Sequence, residues 1–406
     1  MALVVQKYGG ASVANIAKIE NAAQKIIRTK QAGHDVVVVL SAMAGETDRL
    51  IQLAFKAAGD PDKREYDALI STGEQVTVTL LAMILRKLGY PARSFLGFQV
   101  KVHTDRAYSK ARIVSVDTET IKNELRAGNI VVVAGFQGVD EENNITTLGR
   151  GGSDTSAVAL AAALGADVCD IYTDVDGVYT TDPNICNKAR RLDRISYDEM
   201  LEMARAGAKV LQPRCVELAK KYAVPVYVKS FFTDEGGTLV TKEGREMEKE
   251  VVSGVTCDRD QAKITVVHVP DRPGVAARLF TPLSESNIVV DMIIQNASVD
   301  GSTDLTFTVS RKDIKEARRI VETVVKEIGA DRLEVDEDVA KVSIIGVGMI
   351  SHSGVAARMF SVLAQEGINI MMISTSEIKI SCVVKEKYTE LAVTVLHSAF
   401  GLDRKK

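Results

Sequence analysis

Asp271–Asn296, DRPGVAARLFTPLSESNIVVDMIIQN, and Ser351–Ser376, SHSGVAARMFSVLAQEGINIMMISTS, are two copies of one segment, with Gly-Val-Ala-Ala-Arg identical at 274–278 and 354–358. A repeat of this length is one supersecondary unit used twice. Hydrophobic periodicity predicts in each copy a strand (Ile264–Val269; Val342–Val347), a loop, a helix (Val275–Ser284; Val355–Gln365) and a second strand (Ile288–Ile294; Ile368–Ile373). A further strand follows in Leu305–Val309 and Ile378–Val384, which fits a ferredoxin-like βαββαβ module. The region ahead of the repeat is longer, glycine-rich and unrepeated, so the chain divides into a chemical front half and a sensing back half. Glu243–Glu250 is charge-rich without periodic apolar content and reads as a linker. The boundaries expected are 1–242 for the front domain, 243–262 for the linker and the start of the back region, 263–338 for the first copy and 339–406 for the second. Gly346-Val347-Gly348 invites a dinucleotide-loop reading, but the third glycine position is Ser351, and the segment aligns with the plain turn Val269–Asp271.

At 406 residues, with 46% apolar and 26% charged residues, the chain has room for two or three domains with sizeable cores. A net charge of −3 without a long basic block argues against nucleic acid or an anionic membrane as principal partner. Cys169, Cys186, Cys215, Cys257 and Cys382 lie far apart with no Cys-x-x-Cys pair, which argues against a disulfide framework and a structural zinc site. The N-terminus lacks a signal-type segment, and no stretch approaches bilayer-spanning length, so a cytoplasmic location is expected.

In the front half, Leu3-Val4-Val5-Gln6 reads as a strand broken by Lys7-Tyr8-Gly9-Gly10-Ala11-Ser12. Val13, Ile16, Ile19, Ala23, Ile26 and Ile27 then recur at helical spacing, before a buried run at Val36–Leu40. This is a βαβ unit whose glycine pair lets backbone N–H groups approach an anion, so a phosphate ligand is expected. Neither Gly-x-x-x-x-Gly-Lys-Ser/Thr nor Gly-x-Gly-x-x-Gly is present, and the lysine precedes the glycines. A second glycine turn, Thr147-Leu148-Gly149-Arg150-Gly151-Gly152-Ser153-Asp154, follows the strand Val131–Ala134 and a hairpin-like excursion, and precedes a helix over Ala157–Leu164. Capping accounts for Ser153 or Asp154. It does not account for Arg150 between glycines, a position suited to gripping a carboxylate or phosphate. An acidic turn after the strand Asp170–Thr173, running to Asp182-Pro183, completes three loops where an open α/β sheet binds its ligand.

Lys7-Tyr8-Gly9-Gly10-x-Ser12, Ser71-Thr72-Gly73-Glu74, Thr147–Asp154, Thr173-Asp174-Val175-Asp176-Gly177-Val178 and Gly207-Ala208-Lys209-Val210-Leu211 together resemble the aspartate kinases over nearly the whole chain. The resemblance implies an amino acid kinase fold, a three-layer open and mainly parallel sheet with helices on both faces, followed by two ferredoxin-like ACT domains. It implies ATP-dependent phosphorylation of L-aspartate to 4-phospho-L-aspartate, with Mg2+ arriving on ATP and no dedicated metal site. Lys7 and Lys209 would neutralise the transferred phosphoryl group, with Asp154 holding the ammonium groups in place, as phosphoryl transfer requires. Arg150 would take the aspartate α-carboxylate and Glu74 its ammonium, with Ser41, Thr47, Gly151, Gly152 and Ser153 as neighbours. Lys7, Tyr8, Gly9, Gly10, Ser41, Thr173, Asp174, Tyr179, Asp182, Pro183 and Lys209 would line ATP. Where the family usually has serine or threonine after the glycine pair, this chain has Ala11, leaving Ser12 or backbone amides for the phosphate.

For the back half, the resemblance implies feedback by lysine, threonine or both. The effector would lie against Asp271, Gly274, Val275, Ala276, Gln295 and Asn296 of the first copy, and Asn369 and Ile370 of the second. It also implies a homo-oligomer through ACT pairing and allows a separate regulatory chain initiated near Met247. The rival readings are an acetylglutamate or UMP kinase of the same fold, disfavoured by Arg150 with Glu74, and a non-catalytic amino acid sensor, disfavoured by intact Lys7, Asp154 and Lys209.

Overall fold

The computed structural model describes residues 1–234, 236–242, 251–296 and 301–404. The chain forms two compact units. The first holds Met1–Val178, Arg191–Ala204 and the chain from Lys209 to 242; the second holds Tyr179–Arg190, Arg205–Ala208 and the chain from Val251 onward. Residues 243–250 of the expected linker, with Met247, lie outside the described residues.

The first unit is built on eight strands: β1 (Leu3–Tyr8), β2 (Asp35–Leu40), β3 (Ala92–Phe95), β4 (Ile130–Ala134), β5 (Val168–Thr173), β6 (Arg194–Ser196), β7 (Val226–Ser230) and β8 (Thr238–Thr241). Their order is β6-β8-β7-β5-β1-β2-β4-β3, and every neighbouring pair is parallel except β7 with β8. Val36–Leu40 and Ile130–Ala134 are buried throughout, as strands covered by helices on both faces must be. β1 is central, so its C-terminal end, Lys7-Tyr8 followed by the glycine pair, opens at the middle of the sheet edge where α/β folds bind ligands.

Helix α1 (Ile16–Gln31) begins where the Asn15 side chain accepts from the Lys18 N–H, and it buries Ile19, Ala22, Ala23, Ile26 and Ile27. Helix α2 (Thr72–Lys87) joins the same core through Val78, Leu81 and Leu85. On the other face of β1, helix α3 (Gly152–Leu164) is buried from Gly152 to Ala161 and packs against α4 (Pro213–Tyr222). The excursion after β4 is the antiparallel hairpin Gln137–Val139/Ile145–Thr147, part of a separate four-stranded sheet. One sequence expectation is corrected here. Lys63–Lys87 is a helical run long and apolar enough by composition to cross a membrane, but half of its apolar window is buried inside the fold, where it serves as a core helix.

The second unit has one six-stranded sheet shared by both copies of the repeat. Its strands are β9 (Gly254–Pro270), β10 (Val290–Gln295), β11 (Ser302–Val309), β12 (Arg332–Ile345), β13 (Met372–Thr375) and β14 (Lys379–Lys385), in the order β10-β11-β9-β12-β14-β13. β9 and β12 pair antiparallel from Gly254↔Ile345 to Val267↔Arg332, with register shifts near Gln261 that mark the junction of the copies. Each copy therefore has its own βαββαβ set in the ferredoxin-like strand order, but the second takes its last strand from residues that precede the first. Val252 and Val255 lie in the core of the second copy with Val342, Ile344, Met359, Leu363 and Leu396. Part of the stretch 243–262 is thus core strand rather than connector. The four helices Val275–Glu285, Ile314–Ile328, Val355–Gln365 and Thr389–Ala399 supply the apolar faces. The Gly346-Val347-Gly348 turn is a 3₁₀ segment, Val347–Ser351. A Cβ at Gly346 would stand 2.5 Å from the Val251 carbonyl oxygen, so this glycine serves backbone packing.

This topology predicts that a fragment starting at Val251 melts cooperatively in a calorimeter, whereas one starting at 263 does not. The shorter fragment leaves the β12 edge bare and the second core without Val252 and Val255.

Candidate active site

Strand alternation sends Tyr8 and Lys7 to opposite faces of the sheet. Tyr8 enters the α1/α2 core, stacked on Tyr172 at 4.7 Å with its hydroxyl donating to Gln6 Oε1, and it is wholly buried. Its side chain is therefore a core element and not a lining of a ligand site, which corrects the expectation for Tyr8. Lys7 faces α3, where its Nζ stands 2.6 Å from Asp154 Oδ1, each side chain 11% exposed. Asp154 occupies the first turn of α3, where the helix dipole favours a carboxylate.

The glycines around this pair are required by close approaches. A Cβ at Gly10 would stand 2.9 Å from the Ala42 carbonyl oxygen, because the turn after β1 lies against the turn after β2. Gly151, at φ +69°, leaves room for Gln212, whose Cγ stands 1.8 Å from where a Cβ would be. Gly135 at the end of β4 likewise accommodates Ser153, and the Ser156 hydroxyl accepts from the Phe136 N–H. Arg214 donates to the carbonyls of Leu148 and Ala111, tying α4 to the second glycine loop. The turn that carries Lys209 leads into Gln212 and hence to this loop. Among the described residues neither Lys209 nor Arg150 has a hydrogen-bond or ion-pair partner, and both are exposed. Ser12, offered in the sequence as a replacement hydroxyl for Ala11, is 1% exposed with its Oγ buried. That corrects the alternative and leaves the backbone amides to meet an anion.

Glu74 is the most unusual charge in the unit. Gly73 lets α2 rest on Ala42, and Glu74 then points back under the β2 turn, where Oε1 accepts from the Ala42 N–H at 3.0 Å. The residue is 2% exposed, and Oε2 is buried without a hydrogen-bond partner. Burial pushes its carboxyl from 4.5 up to about 7, against the pull of the Ala42 N–H. A buried carboxylate with a vacant oxygen is a socket for a cation. Ser41 lies beside it, its N–H bonded to the Tyr8 carbonyl and its own carbonyl accepting from Thr77, and Thr47 lies half-exposed in the first turn of the helix Glu46–Ala58.

Asp67 gave no sequence signal, since a single acid in an amphipathic helix is unremarkable. It is wholly buried and accepts from Ser109 N–H, Thr147 N–H and the Thr147 hydroxyl, so it anchors the start of the second glycine loop. On the β5 side, Thr173 donates to exposed Asp174, and Arg191 reaches Asp176 at 3.2 Å. Tyr179, Asp182 and Pro183 belong to the segment that clusters with the second unit. Asp182 caps a turn there, accepting from Asn184, and Pro183 is exposed.

In the second unit, Asp271, Gly274, Val275, Ala276 and Gln295 line one cavity of about 370 Å3 together with Arg272 and Leu305. Asn296, Asn369 and Ile370 do not line it. Ile370 packs on the core of its own copy, and the shared sheet puts the strands after these two loops, β10 and β13, at opposite ends of its order.

A nucleotide-type α/β sheet, an ammonium–carboxylate pair at its central strand end and a doubled ferredoxin-like unit together define a metabolite kinase with a regulatory region. The amino acid kinase family model matches residues 2–230, and ACT domain models match 263–329 and 342–400. The chain is 58% identical over 406 residues to the aspartate kinase of Pseudomonas fluorescens (strain SBW25), covering 99% of this chain and 98% of that one. It also resembles E. coli aspartokinase III in complex with aspartate and ADP (R-state), at 30% identity and a TM-score of 0.82 over 98% of this chain and 99% of that one. The T-state of that protein, in complex with lysine and aspartate, matches at 29% identity and 0.78, covering 98% and 99%. The chain belongs to the amino acid kinase family and, within it, to the aspartate kinases.

The raised Glu74 value has a stability sign. Its folded-state pKa lies above the unfolded one, so the stability it contributes is complete below about pH 4.5 and is lost as pH rises through about 7, a cost of about 3 kcal/mol. Glu74→Gln is expected to raise Tm at pH 8 and leave it nearly unchanged at pH 4.5, measured by differential scanning calorimetry.

Proposed function

We propose that the chain transfers the γ-phosphoryl group of ATP to the side-chain carboxylate of L-aspartate, giving ADP and 4-phospho-L-aspartate. The observation that carries this reading is the Lys7–Asp154 pair at the central strand end, with the vacant Glu74 oxygen opening beside the neighbouring β2 turn. Phosphoryl transfer needs its two anions held in line and neutralised, and little covalent help. Lys7 is positioned by Asp154 to meet the attacking and transferred oxygens, and Lys209, without a hydrogen-bond or ion-pair partner among the described residues, supplies the second positive charge from the nucleotide side. The backbone N–H groups of Gly9 and Gly10 cradle the phosphates, while Ser41, Thr173, Asp174, Tyr179, Asp182 and Pro183 line the rest of the nucleotide.

Aspartate presents an α-carboxylate, an ammonium and the nucleophilic carboxylate. Arg150 takes the first bidentately and Glu74 the second, with Ser41, Thr47, Gly151, Gly152 and Ser153 shaping the space. This division leaves the nucleophile unbound and rejects acceptors without an α-ammonium. Mg2+ screens the β- and γ-phosphate charge when ATP is bound. The Asp154 carboxylate is engaged by Lys7, and in this reading the ion is carried in by the phosphates.

Lysine or threonine, the end products such an activity would feed, fit the cavity at Asp271–Ala276 and Gln295 as effectors. Their binding inhibits to the extent that it differs between two arrangements of the protein. Homo-oligomer formation through the ACT sheet belongs to the same proposal, as do domain limits near 242 and 338, with 254–258 completing the second copy.

Lys7→Ala is expected to lower kcat at least about a hundredfold, because removing a desolvated transition-state charge costs several kcal/mol, and to lower Tm measurably while the protein still folds, because the Asp154 carboxylate is left buried without its partner. An ADP-release assay with aspartate, N-acetylglutamate, glutamate and UMP checks the acceptor; turnover with UMP but not aspartate would overturn the assignment. Since aspartate's ammonium stabilises ionised Glu74, binding near pH 6.5 should release a proton, read by titration calorimetry in buffers of different ionisation enthalpy. Glu74→Gln should abolish that release and raise the KM for aspartate.

A further inference from the structure

Between Val178 and Arg191 the chain makes a loop whose neck is closed by the Leu192 N–H donating to the Val178 carbonyl. The loop, Tyr179–Arg190, clusters with the regulatory residues rather than with the strands from which it departs. Four contacts hold it there. The Val255 N–H donates to the Thr180 carbonyl, at the start of the strand that the regulatory copies share. Arg190 Nε donates to the Leu402 carbonyl. Ile185 packs on the core of the second copy. Thr180 Oγ1 lies 2.9 Å from Nε2 of His397, in the last helix of that copy.

The His397–Thr180 contact is the unusual one. Both residues are wholly buried, and His397 Nδ1 is also buried and has no partner among the described residues. Thr180 Oγ1 additionally accepts from the Arg190 N–H, and the Thr180 N–H donates to the Arg190 carbonyl, so one hydroxyl joins both legs of the loop to the helix. Burial holds the imidazole below its ordinary range, opposed by Asp403 and helped by Arg190 and Lys188, so it is neutral at physiological pH. A neutral ring with one nitrogen unpaired is a poor stabiliser of the fold, since a hydrocarbon of similar volume would bury with no unmet polar group. What the imidazole supplies is a directed hydrogen bond at Thr180, two residues before Asp182.

We infer that His397 is a positioning residue for the phosphoryl-transfer reaction: through Thr180 the regulatory unit's last helix sets the geometry of the segment carrying Tyr179, Asp182 and Pro183, and so tunes nucleotide affinity. This rests on the reading of those three residues as nucleotide-lining. The consequence is a specific one. On this reading a change at His397 or Thr180 is expected in the KM for ATP and not in that for aspartate, since Tyr179, Asp182 and Pro183 are assigned to the nucleotide alone.

The test is steady-state kinetics of the full chain carrying His397→Leu, Thr180→Val, both together, and His397→Gln, whose amide nitrogen replaces Nε2. The single changes are expected to raise the KM for ATP about five- to tenfold, as loss of one buried hydrogen bond implies. The KM for aspartate and the kcat at saturating ATP should stay within about twofold, the double variant should be no worse than the worse single, and His397→Gln should restore most of the loss. Two Michaelis constants that move together, or a fall in Tm with neither constant changed, would assign His397 a purely structural role and overturn the inference. Asp182→Ala separates this from the reading beneath it. If that change leaves the KM for ATP unaltered, the nucleotide-lining assignment itself fails; if it raises the KM while His397→Leu and Thr180→Val do not, only the positioning role fails.

Discussion

The buried ion pair between Lys7 and Asp154 is the constraint around which the first unit is organised. Removing an ammonium and a carboxylate from water costs several kcal/mol per ion, and their attraction only roughly offsets it, so such a pair is a weak source of stability. Its value lies in placement. β1 must be central, α3 must begin where β1 ends, and the glycines at 10, 135, 151 and 152 must let four chain segments crowd together around them. In the proposed reaction a phosphate entering that corner would meet a cation whose orientation is already fixed, leaving little reorganisation when charge develops during transfer.

Glu74 follows the same logic with the opposite sign. The structure tolerates a nearly dehydrated carboxylate with one oxygen unmatched, which costs stability at neutral pH; in the proposed reaction that oxygen would receive the substrate ammonium. Asp67 is the contrasting case. Burial raises its pKa too, but its oxygens are met by Ser109 and Thr147, so it acts as a brace for the loop that presents Arg150.

In the regulatory unit the two copies are joined by shared strands and not by a linker alone. β9 and β12 each run through both copies, so a displacement of the cavity loop at one end of β9 acts on the same strand that completes the second core at the other end. The paired strands, with their register shifts near Gln261, link the cavity at Asp271–Ala276 to the copy that bears His397.

The architecture of both halves was legible in the amino-acid sequence because it rests on local periodicity. Buried β-branched runs, helical spacing after Asn15 and Gly274, and the repeated Gly-Val-Ala-Ala-Arg name their own secondary structure, and they put Lys7 near the end of β1, Arg150 in the second glycine turn and Asp154 near the start of the helix after it. Burial and partnership were not legible, because they depend on residues distant in the chain. Tyr8 and Lys7 are adjacent in sequence, yet strand pleating puts one in the core and the other against Asp154. The resemblance names Glu74 and Ser12 as ligand contacts, but no local pattern shows that packing removes their water. Val252 and Val255 precede the first copy and complete the second, an arrangement no local pattern encodes. Sequence alone determined the segments whose periodicity is local, among them β1, α1, β2 and the repeated strand–helix–strand of the second unit; the tertiary structure alone decided which charges lose their solvent and which copy each strand completes, since desolvation and strand pairing are set by long-range packing.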